Sequence, residues 1–281
     1  MADGDAAEPP VDPIDRAHLR DPGDNTFTMS RYPVAEDLTD LARRFWIPVW
    51  EVREGAESPQ HVLQYPVCLV VVSNTYARFY GVVSGLSTTT LTGRGWAVGV
   101  MLQPAAGTLL CGGDVAECTD RFVELDTLGA LPAGLVASVR TAMEPDPSDP
   151  VAHSAARDLL EAALRPHLPV DAEGHLVNAI VAAVEDCPDL LRVAQLCERF
   201  DLTERTLQRL TSRRLGLSPK WLIRRRRLHE AAGRLRLSET ELATLAADLG
   251  YTDQAHLTRD FRAATGMTPG AFARRWRDHR V

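Results

Sequence analysis

The sequence predicts an α+β fold with a β-rich front, a helical middle and an all-α back. Three observations predict it. Short runs rich in β-branched and aromatic residues alternate with glycines between positions 61 and 102. Three amphipathic helical segments, broken by Pro and Asp, lie between positions 132 and 184. The end of the chain contains two similar copies of one pattern, 49 to 50 residues apart. A chain of 281 residues exceeds what one core usually needs, which favours more than one domain. Its 45% hydrophobic and 25% charged content excludes collagen-like and wholly disordered classes. The expected boundaries are 1–25, 26–128, 129–186 and 187–281.

Residues 1–25 combine Asp, Ala and Pro without periodicity and read as a disordered lead. From Pro33 to Trp50 the spacing of Leu38, Leu41, Ala42 and Phe45 predicts a helix, stopped by Pro48. Strands are expected over His61 to Ser73, Ala77 to Val83, Ser87 to Leu91 and Trp96 to Leu102. Gly81, Gly85, Gly93 and Gly95 punctuate them. Short strands at such intervals fit a small antiparallel barrel or jelly roll of the cupin-like sort, which holds a small ligand in its mouth.

Past Asp126 helices are expected over Pro132 to Met143, Asp149 to Leu164 and Glu173 to Val184. Asp146, Pro147 and Asp149-Pro150 separate the first two, and Pro166, Pro169 and Asp171 the next. This layer is expected to link two domains, and its apolar positions Ala137, Val139, Leu159, Leu160 and Ala163 are expected either to pack within the same chain, the favoured alternative residue by residue, or to pair two subunits into a homodimer.

The repeat aligns Leu196 with Leu245, Leu202 with Tyr251 and Thr203 with Thr252 at a separation of 49, then Leu207 with Leu257, Arg209 with Arg259, Gly216 with Gly266 and Pro219 with Pro269 at 50. One inserted residue accounts for the change. Each copy reads as a helix (Val193 to Phe200; Glu241 to Leu249), a tight turn, and a second helix capped by Thr203 in one copy and by Thr252 or Asp253 in the other. The back of the chain is therefore a tandem helix-turn-helix. Leu207 and Leu210 must face inward, which leaves Arg205, Gln208, Arg209, Ser212 and Arg213 outward. In the second copy Leu257 and Phe261 face inward, leaving Gln254, Ala255, His256, Thr258, Arg259 and Arg262 outward. Arg pairs bidentately with guanine and Gln with adenine in the major groove, so these residue types suit a double-stranded DNA partner. One such helix would be ordinary solvated surface; two at matched positions point to a reader.

Between the copies, Ser218 caps and Pro219 opens a helix expected to reach Leu235, a spacer of ~25 Å. Such a spacer would set two reading helices about one duplex turn apart, ~34 Å. In Arg224 to Arg227 only Arg224 and Arg227 share a face, so one or two of the four are expected on phosphate and the others to snorkel or meet acidic neighbours. The charge agrees. Residues 1–186 carry 12 Arg and no Lys against 27 acids, a net −15, whereas residues 187–281 carry 19 basic against 11 acidic side chains, a net +8.

The stretch from Leu191 to Arg274 resembles the DNA-binding domain of the AraC/XylS family of transcription regulators. The likeness rests on Leu202-Thr203-Glu204-Arg205-Thr206-Leu207-Gln208-Arg209-Leu210, Gly216-Leu217-Ser218-Pro219, Arg227-Leu228-x-x-Ala231, Gly250-Tyr251-Thr252-Asp253-Gln254-Ala255-His256-Leu257-x-Arg259-Asp260-Phe261 and Gly266-Met267-Thr268-Pro269. It implies a seven-helix module whose third and sixth helices enter successive major grooves, with RNA polymerase as a further partner if the protein activates. Asp201 stands where the first turn commonly has glycine, and Asp tolerates the left-handed conformation comparatively well. The front resembles the sensor domain of a cupin-like branch of that family, through Gly93-Arg94-Gly95-Trp96 and Val98-Gly99-Val100. That likeness implies a small-molecule effector.

Other chemistries find less support. A metal-dependent cupin enzyme needs clustered His and carboxylate ligands, whereas the barrel offers only His61, and His18, His153, His167, His175, His229, His256 and His279 are scattered. No metal, cofactor or catalytic activity is expected. Gly93-x-Gly95 has Val98 where a dinucleotide motif wants a third glycine. Cys68, Cys111, Cys118, Cys187 and Cys197 lack zinc spacing and read as reduced thiols. This weakens the alternative, a DNA-alkylation repair regulator that accepts methyl groups on a reactive cysteine. The longest aliphatic run, Val67 to Val72 around Cys68, is far short of the ~20 residues of a membrane span, and the N-terminus has no signal-peptide pattern. A cytoplasmic location without membrane contact is expected. Trp46, Trp50, Tyr65, Tyr80 and Trp96 suit a core as well as a pocket, so no ligand-binding residue is nominated.

Overall fold

The structure, a computed structural model, describes residues 17–19, 23–237 and 240–277. In the front half, β1 (Phe27–Pro33), β2 (Ala42–Glu51), β4 (Leu69–Ser73), β5 (Ala77–Tyr80), β7 (Arg94–Leu102) and β8 (Phe122–Glu124) form one antiparallel sheet in the order β1-β2-β7-β4-β5-β8. Strands β3 (Ser58–Val62) and β6 (Ser87–Leu91) pair as a separate ribbon. The expected barrel does not close. The run from His61 to Ser73 breaks at Leu63 to Cys68, where Pro66 has no N–H to give, Leu63 N donates to Ala17 O at 2.7 Å and Val67 N donates to Tyr65 O at 2.8 Å. Those diverted backbone bonds leave the ribbon and the large sheet unjoined, and β1 and β8 remain edges.

The helix expected over Pro33 to Trp50 is also absent. Glu36–Leu38 makes one 3-10 turn, and β2 begins at Ala42. Leu38, Leu41, Ala42 and Phe45 are all buried, as a helix would have placed them, but an irregularity in pairing between Ala42 and Arg44 produces the three-residue step. A bulge inserts one residue and so imitates helical spacing in a strand. Hydrogen bonding to β1 on one side and β7 on the other decides for strand. Strand β1, which the sequence reading did not contain, supplies one of those ladders.

Of the expected disordered lead, residues 17–19 are placed against the ribbon: Ala17 and Leu19 are buried, and Leu19 N donates to His61 O at 2.8 Å. Residues 1–16 and 20–22 lie outside the described residues.

Both faces of the large sheet are covered. Phe45, Ile47, Val70, Val72, Val98, Val100 and Leu102 point to one face and join the main core. Leu69, Val71, Ala97 and Met101 point to the other, with Trp46 and Trp50. The register sets Trp46 opposite Gly99 and Trp50 opposite Gly95. A Cβ on Gly99 would fall within the Trp46 ring, and one on Gly95 would meet the Trp50 ring. These glycines give the tryptophans room to lie across the sheet.

The main core is completed by α1 (Ala106–Cys111), α2 (Leu135–Met143), α3 (Pro150–Leu164) and α4 (Ala172–Asp186). Asp149 caps α3 and Asp171 caps α4 through side-chain oxygens. The layer is pinned to the sheet side: Tyr32 OH lies 2.7 Å from His153 Nδ1, and Asn178 bridges Ala105 N and Asp40 O at 2.9 Å each. Val139, Leu160 and Ala163, named above for subunit pairing, are buried within the chain, while Ala137 is exposed and Leu159 half-buried.

The back half holds α5 (Val193–Phe200), α6 (Glu204–Leu215), α7 (Pro219–Leu237), α8 (Leu242–Asp248), α9 (Gln254–Thr265) and α10 (Pro269–Arg277). The seven helices implied by the family resemblance are reached by counting from α4, which makes α6 the third and α9 the sixth. Leu196, Leu207, Leu210 and Leu215 join the main core, whereas Leu245, Leu249, Leu257, Phe261 and Phe272 form a second core with Leu228, Leu235 and, from the front half, Leu19 and Leu63.

Replacing Gly99 with alanine must displace the Trp46 ring. The expected cost is ~1 to 3 kcal/mol of stability, as for other overpacked sites, measured by urea denaturation with tryptophan fluorescence. An unchanged midpoint would show that the Trp46–Gly99 pairing is not tight.

Candidate nucleic-acid interface

The first helix-turn-helix is formed by α5 and α6. Asp201 turns the chain in the left-handed region, φ 51°, and Leu202 N donates to Cys197 O at 3.0 Å. Thr203 Oγ1 then accepts from Thr206 N at 3.2 Å and caps α6, as expected. Leu207, Leu210 and Thr211 are buried, while Arg205, Gln208, Arg209 and Arg213 are exposed and Ser212 half-buried. Positions 205, 208, 209, 212 and 213 form one continuous stripe at helical spacing.

The second copy repeats this with α8 and α9. Gly250, φ 70°, occupies the position matched to Asp201, and the cap is Asp253, whose carboxylate accepts from His256 N at 2.7 Å. The inserted residue therefore lies in the turn. Gln254, Ala255, Arg259 and Arg262 are exposed, and Thr258 and His256 are half-buried. The His256 ring stands edge-on to Tyr251 at 5.1 Å, so it braces the turn as well as flanking the stripe. Both helices thus present cationic and amide side chains outward from a leucine-sided core.

One nominated residue has a partner already. Arg213 pairs with Glu173 at the start of α4, and the neighbouring buried Arg214 reaches Asp171 Oδ2 at 2.6 Å, Glu173 Oε2 at 3.0 Å and Thr108 Oγ1 at 2.9 Å. Burial raises the Asp171 carboxyl, but hydrogen bonds from Arg214 and the Gly174 N–H outweigh it and hold the group below its ordinary value. The C-terminal end of α6 is therefore fastened to α4 and α1.

The arginine run on α7 is engaged within the chain, and two of its members meet acidic neighbours as expected. Arg224 pairs with Asp260 at 3.0 Å; Arg226 pairs with Glu230 at 2.8 Å and donates to Pro188 O at 2.9 Å; Arg227 donates to Leu191 O at 2.6 Å. Arg225 is buried, stacks 4.5 Å from the Trp221 ring and donates to Ser84 O at 2.6 Å and Gly85 O at 3.0 Å. Burial and the nearby Arg224 charge pull its ionisation down to about 10, against a smaller opposing pull from Asp120. Further along α7, His229 Nε2 donates to Leu63 O at 2.5 Å, and Arg236 donates to His18 O at 2.7 Å. No feature of the sequence near 63, 84 or 229 marked these pairings in advance, because each acceptor is a backbone carbonyl.

A cavity of about 190 Å³ lies between the second face of the large sheet and the ribbon. Its walls include Trp46, Trp50, Tyr65, Tyr76, Tyr80, Val71, Met101, Gln60 and Gln64, with Arg31 and Arg44 at polar positions. Four of the five aromatics weighed from sequence line it; Trp96 does not. The missed signal was the alternation of Trp46, Pro48 and Trp50 along β2, which a helical reading concealed.

Cys68 and Cys118 are buried and Cys111 is half-buried, and desolvation raises all three thiols above their ordinary value. A methyl-accepting thiolate needs the opposite. Among the described residues no group of three or more His, Cys, Asp or Glu is placed to hold a metal ion; His279 lies outside them.

Two helix-turn-helix units joined by one helix define a DNA-binding type of domain. Comparison with known proteins agrees: a helix-turn-helix domain family matches residues 196–275, and a domain of unknown function (DUF6597) matches residues 30–124. The HTH-type transcriptional activator RhaS of Pectobacterium carotovorum subsp. carotovorum (strain PC1) is 36% identical over 74 residues, 26% of each chain. RhaR of Cronobacter sakazakii (strain ATCC BAA-894) is 26% identical over 105 residues, 37% of each chain. The chain thus matches about a quarter to a third of the length of these curated relatives. Apo ToxT of Vibrio cholerae aligns over 90% of this chain and 98% of its own, at a TM-score of 0.40 and 10% identity. Residues 196–275 thus match a helix-turn-helix domain family, and this part of the chain is similar to the HTH-type transcriptional activators RhaS and RhaR.

The paired turns give a stability prediction. Asp201→Gly relieves a left-handed non-glycine residue but frees the unfolded chain, so its net effect should lie within ~1 kcal/mol of zero. Asp201→Val should lose ~1 to 2 kcal/mol. Thermal unfolding checks both, and equal stability of the Val variant would remove the claim that this φ constrains the turn.

Proposed function

We propose that the protein is a sequence-specific, DNA-binding transcription regulator, with α6 and α9 reading successive major grooves of one duplex. The observation that carries this reading is the duplicated outward stripe: Arg205, Gln208, Arg209, Ser212 and Arg213 on α6, and Gln254, Ala255, His256, Thr258, Arg259 and Arg262 on α9. The α7 arginines, like Arg213, are engaged within the chain, so base readout falls to the other outward residues of α6 and α9 and not to the connecting helix. The 19 residues of α7 span ~28 Å, a length suited to readers about one turn apart.

The sheet cavity is the effector site in this reading. Apolar cavities of about 150 Å³ admit a benzene-sized molecule, so a small, flat, largely apolar ligand suits walls of Trp, Tyr, Val and Met. The protein works in the cytoplasm beside the chromosome, and as an activator it would also contact RNA polymerase. Residues 1–25, 26–128, 129–186 and 187–281 remain the proposed division, with α4 shared between linker and reader. No catalytic role is assigned.

Selection of bound duplexes from random DNA, followed by mobility-shift titration, tests the proposal. Arg209→Ala and Arg259→Ala should each cost ~1 to 3 kcal/mol on the selected sequence, and affinity should fall steeply with salt. Wild-type affinity in both variants would contradict the assignment of these helices.

A further inference from the structure

Two segments of the cavity wall, residues 17–19 and 61–65, are held by the C-terminal half of α7. Tyr65 lines the cavity, and its ring centroid lies 4.4 Å from that of His229. The imidazole donates through Nε2 to the Leu63 carbonyl two residues earlier, and the ring is buried. His18, also in the cavity lining, accepts from Arg236 through its backbone carbonyl. Leu63 and Leu19 share one apolar core with Leu228 and Leu235 of α7 and Leu257 and Phe261 of α9. The first helix-turn-helix is attached elsewhere. Arg214 holds α6 to Asp171, Glu173 and Thr108, on the opposite face of the large sheet.

We infer that His229, acting with Arg236, is the joint through which occupancy of the sheet cavity sets the placement of the second reading helix, α9, while α6 stays fixed. The inference rests on the reading of the cavity as a ligand site. A ligand that moves Tyr65 must move either the His229 ring packed on it or the Leu63 carbonyl bonded to it. Both lead into α7 and the core beneath α9. Packed interiors respond by repacking rather than by smooth deformation, so the displacement is passed on. His229 touches neither the cavity nor the duplex and is a positioning residue. The asymmetry is the distinctive consequence: one half of the operator feels the ligand and the other does not.

The test uses full-length protein, its selected operator, and 1-naphthol as a small, flat aromatic probe. Probe fluorescence should rise on binding, and Ala97→Trp, which fills the cavity from β7, should abolish the rise. With probe bound, operator affinity should change about fivefold or more, and the operator should change probe affinity by the same factor. Hydroxyl-radical footprints should change in the half contacted by α9 alone. His229→Leu should still bind probe and operator separately but lose the coupling, and His229→Gln, which keeps an N–H donor, should recover part of it. If His229→Leu does not fold, Arg236→Met gives the second reading, with coupling reduced. Probe binding unaffected by Ala97→Trp would overturn the cavity reading and the joint with it. Probe bound in the cavity without coupling, equal coupling in His229→Leu or Arg236→Met, or a footprint altered at both halves would overturn the joint and leave the cavity reading standing.

Discussion

The structure depends on how α7 is held. This helix carries Arg224, Arg225, Arg226, Arg227, Arg234 and Arg236, yet eleven of its nineteen residues are buried, Arg225, Arg226 and His229 among them. It can be buried because backbone carbonyls receive its donors: Ser84, Gly85, Leu63 and His18 from the front half, and Pro188 and Leu191 beside α5. Hydrogen bonds to charged groups contribute about 1.5 to 3 kcal/mol each, and a carbonyl stripped of its donor in a buried place loses a comparable amount. Exposed pairs such as Arg94 with Glu51 contribute at most about 1 kcal/mol. The α7 contacts therefore outweigh the surface ion pairs in fixing how the readers sit on the sheet domain.

From this constraint the division of labour follows. The first helix-turn-helix shares the main core with the sheet and α1 to α4, and the second has its own core, reached from the front half through Leu19 and Leu63. One rigid helix belongs to both. A recognition unit on each side of it can be fixed relative to the other, yet only the second shares its core with Leu19 and Leu63, the neighbours in sequence of the cavity residues His18, Val62 and Gln64.

The reading pair was legible in the sequence because its signals are local. Leucines at helical spacing, Thr203 and Asp253 as caps, Gly216 and Gly266 as left-handed stops, and the 49-to-50 register each specify geometry within a few residues. The strands from Ala77 to Leu102 were legible for a similar reason. The region from Phe27 to Glu51 was not. There a bulge shifted the apolar phase by one residue, and the pairing that overrode it comes from β7, some fifty positions away. The cavity followed the same error, since its walls Trp46 and Trp50 face it only in a strand. The arginine run was legible only in part, for another reason. Charge on a helix reports a need for partners but not where they are, and here they were Asp260, Glu230 and carbonyls contributed by distant loops.

The central claim is that, in the free protein, α7 holds both readers in one fixed arrangement. Nitroxides at Gln208→Cys and Arg262→Cys, with Cys111, Cys187 and Cys197 replaced by serine, would report the separation between the two exposed stripes by double electron–electron resonance. In the free protein the account predicts a single narrow distance distribution. A broad or multiple distribution would mean that the second helix-turn-helix moves independently of the first, which contradicts it.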